Sequence, residues 1–296
     1  MKGDEDDLKW AAVRLQRYTP ANFFMSREER KQILAEENPY ETCEIGHSGV
    51  DKMSRGLVRG GITFVKAPRG SGKTSFFRYM QRGVLENNPD IKIGLVHMEE
   101  MKSTTYRGMA TYELGVNVTT RQDQEENGVS DEEILEATDR FCQDKDGNER
   151  VLLFELLPTD VPLAIVEYCR LAASVYNVDF VFIDHIQRLI YRSGAVDGTG
   201  QLTQVGTQLA ELAKELNIGI IAISHVNSDG GTQYAQALEN EAIICIEVKR
   251  DMEEEDDIMR NTSEFVYSKN RPFANLGSAG HVYYNPKTTI LEEANV

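Results

Sequence analysis

The sequence predicts an α/β fold in which helices cover a mainly parallel β-sheet, and two observations support this prediction. Leucine and valine residues recur at helical spacing between residues 202 and 216 and form one apolar stripe. Short apolar runs alternate with such helical patterns, and each run has the length and β-branched content of a strand buried on both faces. These runs cover residues 62–67, 91–98, 151–156, 178–184 and 218–224. Strands that alternate with helices indicate a mainly parallel sheet whose strands are connected by right-handed crossovers.

The chain is predicted to consist of a linker or docking arm, residues 1–45, and one large domain, residues 46–296. The arm is polar and charged, and it has too few large apolar residues to build a core of its own. Ser26 and Glu29 have the spacing of a capping box, which predicts a short helix that ends near Glu36.

Two polar stretches interrupt the alternation of strands and helices in the domain. Residues 119–133 are predicted to form a surface loop, with Ser130 capping the helix that follows. Residues 251–261 are strongly acidic and separate two strand-like runs. Such a pair of runs around a short connection predicts an antiparallel extension at the C-terminal end of the sheet.

Composition narrows the class of protein. The chain has 296 residues and a formal net charge of -16, which excludes a simple basic coat protein for nucleic acid but allows a local basic channel. None of its four cysteines lies in a C-x-x-C pair, so neither a zinc site nor a redox motif is indicated. Reduced, buried thiols are expected instead, as in a cytosol-like compartment.

The sequence also predicts that the protein does not enter a membrane. No apolar run approaches the roughly 20 residues that a spanning helix needs. The acidic first ten residues lack the features of a signal or transit peptide. We therefore expect a cytoplasmic protein, located in the host cytoplasm if a phage encodes it.

The segment APRGSGKTS, residues 67–75, departs from the phosphate-binding pattern G-x-x-x-x-G-K-[ST] only at Ala67. A strand precedes it and a helix follows it, which is the context that this motif requires. Backbone N–H groups and the helix N-terminus are expected to hold phosphate, Lys73 to reach the β- and γ-phosphates, and Thr74 to hold Mg²⁺. The predicted nucleotide-binding residues of this loop are Pro68, Arg69, Gly70, Ser71, Gly72, Lys73, Thr74 and Ser75.

Ionisable residues follow three of the other predicted strands, at the edge of the sheet where parallel strands end together. Asp184 ends one strand and is a candidate to position Mg²⁺. Glu99 and Glu100 follow another, and alternation directs them to opposite faces, so only one can act as a general base. His225 closes a third strand, either as a structural residue or as a sensor of the γ-phosphate.

The motifs APRGSGKTS, HMEEM, FIDHIQ, AISHVN and SKNRPF occur in this order along the chain. Their order resembles that of the hexameric replicative DNA helicases with a RecA-like core: the bacterial DnaB type and, more closely, the helicase half of phage primase–helicases and their mitochondrial relative Twinkle. The resemblance covers about residues 46–292. It implies a RecA-like P-loop ATPase fold, and it accommodates Ala67, since loops of the DnaB type often lack the first glycine.

The resemblance assigns roles to residues of the predicted site. It implies that Glu99 is the catalytic base, that His225 couples the nucleotide to DNA, and that Lys73 and Thr74 bind phosphate and, with Asp184, Mg²⁺. Lys269 and Arg271 match a lysine and an arginine finger that reach into the nucleotide site of the neighbouring subunit. Tyr284 matches a tyrosine that stacks on the base, and Arg250 is a candidate for the other face of the base.

The same resemblance implies the partners of the protein. ATP, dTTP or another nucleoside triphosphate and Mg²⁺ are the expected cofactors, and a homohexameric ring on single-stranded DNA is the expected assembly. A replicative polymerase, a primase and a helicase loader are further implied partners, and the helix after Ser26 would dock on the adjacent subunit. The residues expected to contact DNA are Arg188, Arg192, Asn227, Ser228, Thr232 and Gln233.

The sequence therefore predicts an ATP-driven helicase that moves along single-stranded DNA, in the 5′ to 3′ direction by resemblance. Two alternatives remain at this stage. The segment after His225, residues 227–242, which is expected to contact DNA, contains no lysine or arginine, and this fits a RecA-like recombination mediator or regulatory ATPase that binds DNA without unwinding it. An inactive binding module is the other alternative, although Lys73, Glu99, Asp184 and Arg271 are all present.

Overall fold

The structure of the protein is a computed structural model that describes residues 25–36, 40–68, 70–98, 100–154, 163–186, 198–226 and 233–294. For residues 198–199, 225–226 and 233–235 only the backbone is described. The chain divides into two units, residues 1–39 and residues 40–296.

The first unit contains one described helix, α1 (Arg27–Glu36). The backbone N–H of Ser26 donates to Glu29 Oε2 at 2.6 Å, and the backbone N–H of Glu29 donates to Ser26 Oγ at 3.1 Å. These reciprocal bonds satisfy two donors at the helix N-terminus and confirm the predicted capping box.

The second unit is built on a sheet of nine described strands, with a separate pair of two-residue strands beside it. The pair is β1 (Thr42–Cys43) and β2 (Leu57–Val58). The strands of the large sheet are β3 (Gly61–Pro68), β4 (Ile93–His97), β5 (Val151–Phe154), β6 (Phe180–Asp184), β7 (Gly219–Val226), β8 (Ile244–Lys249), β9 (Thr262–Asn270), β10 (Gly277–Asn285) and β11 (Ile290–Ala294). Their order across the sheet is β11-β10-β9-β8-β3-β7-β6-β4-β5.

The sheet is mainly parallel, as the sequence predicts. Strands β8, β3, β7, β6, β4 and β5 pair in parallel, and they include all five of the predicted apolar runs. Strand β9 is antiparallel to β8, and β10 and β11 continue the antiparallel part. The predicted C-terminal antiparallel extension is therefore confirmed, and the fold is the predicted α/β fold.

Nine further helices lie in the described part of the second unit. They are α2 (Ser48–Ser54), α3 (Lys73–Asn87), α4 (Lys102–Leu114), α5 (Arg121–Glu126), α6 (Asp131–Cys142), α7 (Ala164–Tyr176), α8 (Gly198–Glu215), α9 (Gln233–Glu241) and α10 (Asp257–Arg260). No helix among the described residues is both long enough and apolar enough to cross a membrane.

Two of these helices lie within stretches that the sequence assigns to irregular structure. Helix α5 falls inside residues 119–133, so the prediction of a surface loop there is wrong in part. Thr120 and Asp123 form a capping box that starts this helix, and Gln124 is buried under it. Ser130 caps α6 as predicted, and α10 lies in the acidic segment because Asp256 caps it.

Among the described residues, the two largest clusters of core side chains form two layers, one on each face of the sheet. Phe77 of α3 and Phe182 of β6 belong to one layer, and their rings meet edge to face at 5.5 Å. The stripe of α8, which includes Leu209, belongs to the other layer. The neighbouring residues Ile220 and Ile221 contribute to different layers, because alternate side chains of a strand point to opposite faces. Burial on both faces explains why the strands are apolar throughout. All four cysteines are buried and unpaired, as predicted.

Helix α3 packs closely against the backbone near the start of the second unit. A Cβ atom at Gly83 would lie 2.0 Å from the carbonyl oxygen of Ile45. Real Cβ atoms do not approach so closely, so any side chain at this position would displace either the helix or the segment around Ile45.

We expect Gly83→Ala to lower the free energy of unfolding by about 1–3 kcal/mol, because the added methyl group overpacks a rigid backbone contact. Urea denaturation would measure the change. Gly206→Ala in α8 is the matched control, since a Cβ there would meet Leu238 at 3.4 Å, an ordinary contact. The control should be neutral or stabilising by up to about 1 kcal/mol. Equal effects of the two substitutions would contradict a role for close packing at Gly83.

Candidate nucleotide site

The glycine-rich turn between β3 and α3 adopts the conformation that phosphate loops require. Gly70 and Gly72 have φ angles of 77° and 85°, in the left-handed region that glycine populates freely. Gly72 is the N-cap of α3, and no side chain caps this helix start. The capping position is therefore open to an anion, which the helix N-terminus favours. Ala67 still lies in strand β3, where a glycine is not needed.

The carbonyl oxygen of Pro68 organises the turn. It accepts hydrogen bonds from Ser71 Oγ at 2.7 Å and from Lys73 Nζ at 3.3 Å. Lys73 is only 9% exposed, so its ammonium group is held inside the turn and not in bulk solvent. A buried cation at the N-terminus of a helix, beside a glycine-rich turn, fits the terminal phosphates of a nucleotide.

Thr74 and Asp184 meet at the edge of the sheet. The Thr74 hydroxyl donates to Asp184 Oδ2 at 3.1 Å, which joins the first turn of α3 to the end of β6. Hydroxyl and carboxylate oxygens are the hard ligands that Mg²⁺ prefers, and Mg²⁺ is held by one or two such groups together with substrate phosphates. The residues present therefore fit a magnesium–nucleotide complex.

The register of the strands brings the predicted strand-end residues to the same edge. Asp184 pairs with His97 of β4 and with Ile223 of β7, and Ala67 of β3 pairs with His225 of β7. Ends of β3, β7, β6 and β4 thus lie side by side, as ligand sites of open α/β sheets require.

Glu100 is engaged in a network of its own. It forms an ion pair with Arg78 of α3, and its Oε2 accepts from Thr105 Oγ1 at 3.0 Å and lies 3.2 Å from His97 Nδ1. Burial raises the pKa of Glu100, but the contacts with His97 and Arg78 outweigh burial and hold the pKa below its usual value. A carboxylate that is held ionised by these partners is a poor proton acceptor. Of the two adjacent glutamates, Glu100 therefore has a structural role.

The network around Glu100 is not predictable from the sequence. His97 and Thr105 lie within five residues of Glu100, but Arg78 lies 22 residues before it on another helix, and no recognised spacing relates it to the others. Gly108 is part of the arrangement, since a Cβ there would lie 2.3 Å from Arg78 Nε. A glycine in the middle of α4, which costs helix stability, is the one signal in the sequence.

Arg250 and Tyr284 lie next to each other. Arg250 Nη2 donates to the side-chain oxygen of Asn261 at 2.8 Å, and the backbone N–H of Tyr284 donates to the carbonyl oxygen of the same residue at 2.8 Å. A cavity of about 510 Å³ lies beside Arg250, with Met259 and His281 in its lining. The two residues assigned to the base of the nucleotide are thus brought together although they are distant along the chain.

A chain of hydrogen bonds connects this region to the phosphate loop. Tyr284 pairs with Leu291, whose backbone N–H donates to Tyr112 Oη at 3.1 Å. Tyr112 Oη in turn donates to the carbonyl oxygen of Ser75 in the first turn of α3, at 3.4 Å. The acidic segment also reaches the loop, since Met252 Cε lies 3.5 Å from the Cβ position of Gly70.

Lys269 and Arg271 lie at the opposite edge of the sheet. Asn270 pairs with Ile244 at the start of β8, and Ile244 pairs with Thr63 near the start of β3. The phosphate loop begins after the other end of β3, about 17 Å further along at the usual rise of 3.3 Å per residue. Within one chain, the two basic residues and the phosphate loop do not meet.

The ends of both basic side chains contact the C-terminal turn of α9. Lys269 Nζ donates to the carbonyl oxygens of Glu239 and Asn240 at 2.6 and 3.1 Å, and Arg271 Nη2 donates to that of Asn240 at 3.3 Å. These carbonyls lack partners within a helix, and cations near them are favourable.

Several predicted site residues lie outside the described residues, or have only their backbone described. The first group is Arg69, Glu99, Arg188, Arg192, Asn227, Ser228 and Thr232. The backbone of His225 lies in β7 and that of Gln233 at the start of α9.

Residues 43–272 match the model of the DnaB-like helicase C-terminal domain family. This match covers more than half of the chain, and the chain belongs to that family. The protein is therefore an ATP-dependent replicative helicase domain, an enzyme that hydrolyses nucleoside triphosphates.

Solved structures share the fold. One is an ATPase domain, which superposes with a TM-score of 0.70 and 18% identity, over 90% of this chain and 96% of that one. Another is a DnaB-like replicative helicase, described with its interactions with primase, which superposes with a TM-score of 0.69 and 18% identity. The match covers 90% of this chain but 65% of that helicase, so the present chain spans about two thirds of its length.

We expect Glu100→Gln to lower the free energy of unfolding at pH 7 by about 1–3 kcal/mol, because Arg78 loses its charged partner. The pKa of Glu100 is lowered by folding, so its stabilisation is full above the unfolded value of about 4.5 and is lost as the pH falls through the folded value. Denaturation of both proteins at pH 7 and below pH 4 would test this. The difference should shrink at low pH.

Glu211→Gln is a control for this prediction, because Glu211 is an exposed carboxylate on α8. Its substitution should change stability by less than about 0.5 kcal/mol at either pH. A stability loss in Glu100→Gln that is independent of pH would contradict the role of the ionised carboxylate.

Proposed function

We propose that this chain is the motor domain of a hexameric ring that hydrolyses ATP, moves 5′ to 3′ along single-stranded DNA and unwinds the replication fork. One observation carries the proposal. Lys73, Thr74 and Asp184 cluster at one edge of the sheet, while Lys269 and Arg271 lie at the other. A site that needs both sets is completed only when the second set comes from another copy of the chain. A heterologous contact of this kind, repeated with rotation, closes a ring.

The residues of the site have distinct tasks in this proposal. Bound Mg²⁺–ATP supplies the phosphoryl group that is hydrolysed. Lys73 binds its phosphates, and Thr74 and Asp184 hold Mg²⁺. Glu99 orients and deprotonates the attacking water, while Glu100 has a structural role through its contacts with Arg78 and Thr105. Pro68, Arg69, Gly70, Ser71, Gly72 and Ser75 complete the phosphate loop.

Arg271 of the neighbouring subunit stabilises the charge that develops during hydrolysis, and Lys269 assists it. An arginine supplied in this way contributes about 10³–10⁵ to the rate of phosphoryl transfer. Arg250 and Tyr284 hold the base of ATP, dTTP or another nucleotide, which is supported by their shared contact with Asn261 and by the cavity beside Arg250. Stacking on a tyrosine tolerates different bases.

DNA lies in the channel of the proposed ring. Two segments that follow β6 and β7 contact it through Arg188, Arg192, Asn227, Ser228, Thr232 and Gln233. His225 precedes the second segment, and its backbone pairs with Ala67 at the start of the phosphate loop. This position suits a residue that reports the state of the nucleotide to DNA. The arm predicted over residues 1–45 docks on the adjacent subunit through the part before residue 40, because residues 40–45 belong to the second unit, and residues 46–296 form the motor.

The proposed ring has further partners. A replicative polymerase, a primase and a helicase loader are the proteins with which a fork helicase would act, and the host or cell cytoplasm is the compartment. The similar DnaB-like helicase interacts with primase, and this interaction is a property of that protein.

Measurement of ATP hydrolysis with and without single-stranded DNA, together with unwinding of a forked duplex, tests the proposal. We expect DNA to stimulate hydrolysis and the fork to open only when ATP is present. Glu99→Gln should reduce hydrolysis by about 10²–10⁴, the usual contribution of a general base, while nucleotide binding persists. Glu100→Gln is the matched control and should retain most of the activity.

The same two assays also distinguish the alternative function from the proposed one. ATPase activity that DNA stimulates without any fork opening, together with filaments or strand pairing, would favour a RecA-like mediator. That alternative is supported by the absence of lysine and arginine from the sequence of residues 226–242. Hydrolysis that DNA does not change would contradict both.

The shared active site makes a separate prediction. Lys73→Ala and Arg271→Ala should each abolish hydrolysis in a pure ring. Mixing the two variants should restore activity, because about a quarter of the interfaces in randomly mixed rings combine an intact Lys73 with an intact Arg271. The measurement is the hydrolysis rate after the two proteins are mixed under conditions that allow subunit exchange. Failure to recover activity, when exchange is verified, would contradict a role for Arg271 in trans.

A further inference from the structure

The C-terminal turn of α9 is contacted from two directions through one residue, Glu239. Its side-chain Oε1 lies 3.2 Å from Nζ of Lys66 in β3. Its backbone carbonyl oxygen accepts from Lys269 Nζ at 2.6 Å. Glu239 therefore touches Lys66 of the strand that leads into the chain's own phosphate loop and also Lys269 of the finger pair, Lys269 and Arg271, while Arg271 contacts the next residue of the turn, Asn240.

The contact on the side of β3 is well defined. Lys66 lies two residues before Pro68, whose carbonyl oxygen accepts from Lys73 and Ser71 in the loop. Its side chain is 12% exposed, and Nζ also lies 2.7 Å from Glu247 Oε1 on the adjacent strand β8. Burial lowers the pKa of Lys66, but the hydrogen bonds to Glu247 and Glu239 outweigh it and raise the pKa. The ammonium group therefore remains charged.

The contact on the side of the finger pair neutralises a helix end. The last turn of α9 contains Glu239 and Glu241 and no basic residue, which is unfavourable near the negative end of a helix. Lys269 and Arg271 supply the missing positive charge from outside the helix, through the carbonyls of Glu239 and Asn240. Triphosphate in the neighbouring subunit would compete with these carbonyls for the same donors.

We propose that Glu239 is a positioning residue that links the chain's own phosphate loop to its finger pair, so that neighbouring nucleotide sites of the ring act cooperatively. This inference rests on the proposed function, because it requires that Lys269 and Arg271 act on the nucleotide of the next subunit. Nucleotide that binds at the loop displaces Pro68 and the end of β3. Lys66 transmits this displacement to Glu239, and the turn of α9 then sets the position of Lys269. By linkage, engagement of the finger pair acts back on the loop to the same extent.

The experiment measures the rate of hydrolysis of the full-length protein against ATP concentration, with single-stranded DNA present. The wild-type curve should be sigmoidal, with a Hill coefficient clearly above 1. Glu239→Gln removes the ion pair with Lys66 but keeps the carbonyl that binds Lys269. It should bring the Hill coefficient to about 1, while kcat at saturating ATP stays within about threefold of the wild type.

A second variant keeps the test valid if Glu239→Gln folds poorly. Lys66→Gln removes the other member of the same ion pair and should lower the Hill coefficient equally. Glu241→Gln is the matched control, since Glu241 lies in the same turn but contacts Thr207 Oγ1, at 3.3 Å, and not Lys66. It should keep the wild-type Hill coefficient, and melting temperatures would show that all four proteins are folded.

Three results would overturn the inference. They are a wild-type Hill coefficient of 1, wild-type cooperativity in both ion-pair variants, and an equal loss of cooperativity in Glu241→Gln. Each can occur while fork unwinding and the recovery of activity in mixed Lys73→Ala and Arg271→Ala rings remain as proposed. Failure of those two assays would instead remove the proposed function, and the inference with it.

Discussion

The parallel pairing of β3, β7 and β6 is the constraint on which the site depends. It sets the ends of these strands side by side, so that Asp184 meets Thr74 in the first turn of the helix that follows the glycine-rich turn. The pairing is maintained by strands that are buried on both faces, which fixes the sheet between two apolar layers. A shift of one residue in β6 would direct Asp184 to the other face and remove the contact with Thr74.

The same sheet also separates the two groups of residues that ATP hydrolysis would require in the proposed function. The antiparallel strand β9 returns along β8, so Lys269 and Arg271 lie where the parallel strands begin and the phosphate loop lies where they end. One chain cannot bring both to a single nucleotide, and the geometry therefore favours an active site between subunits. Glu239 is notable because it contacts both Lys66, in the strand that leads into the phosphate loop, and Lys269, at the end of β9, through α9. Communication between sites would need such a connection, since packed elements transmit small displacements.

Much of the fold could be predicted because local patterns determine it. The five apolar runs, the stripe of α8 and the capping residues Ser26 and Ser130 depend on neighbouring residues alone. Helix α5 is not predicted because its sequence is polar and its stability comes from the Thr120 capping box and the burial of Gln124. The roles of Glu99 and Glu100 could not be separated by alternation, because the partners of Glu100 come from α3, β4 and α4.

The sequence by itself determined the chemistry of the chain: a phosphate loop, strand-end carboxylates and a late pair of basic residues, each recognisable from its own few neighbours. Only the tertiary structure decided which of these groups meet. In the fold, Thr74 contacts Asp184, and Arg250 and Tyr284 both contact Asn261. Glu100 pairs with Arg78, and Lys269 contacts α9 at the far edge of the sheet. The physical reason is that strand order and register bring together residues that are distant along the chain, and no local pattern encodes these contacts.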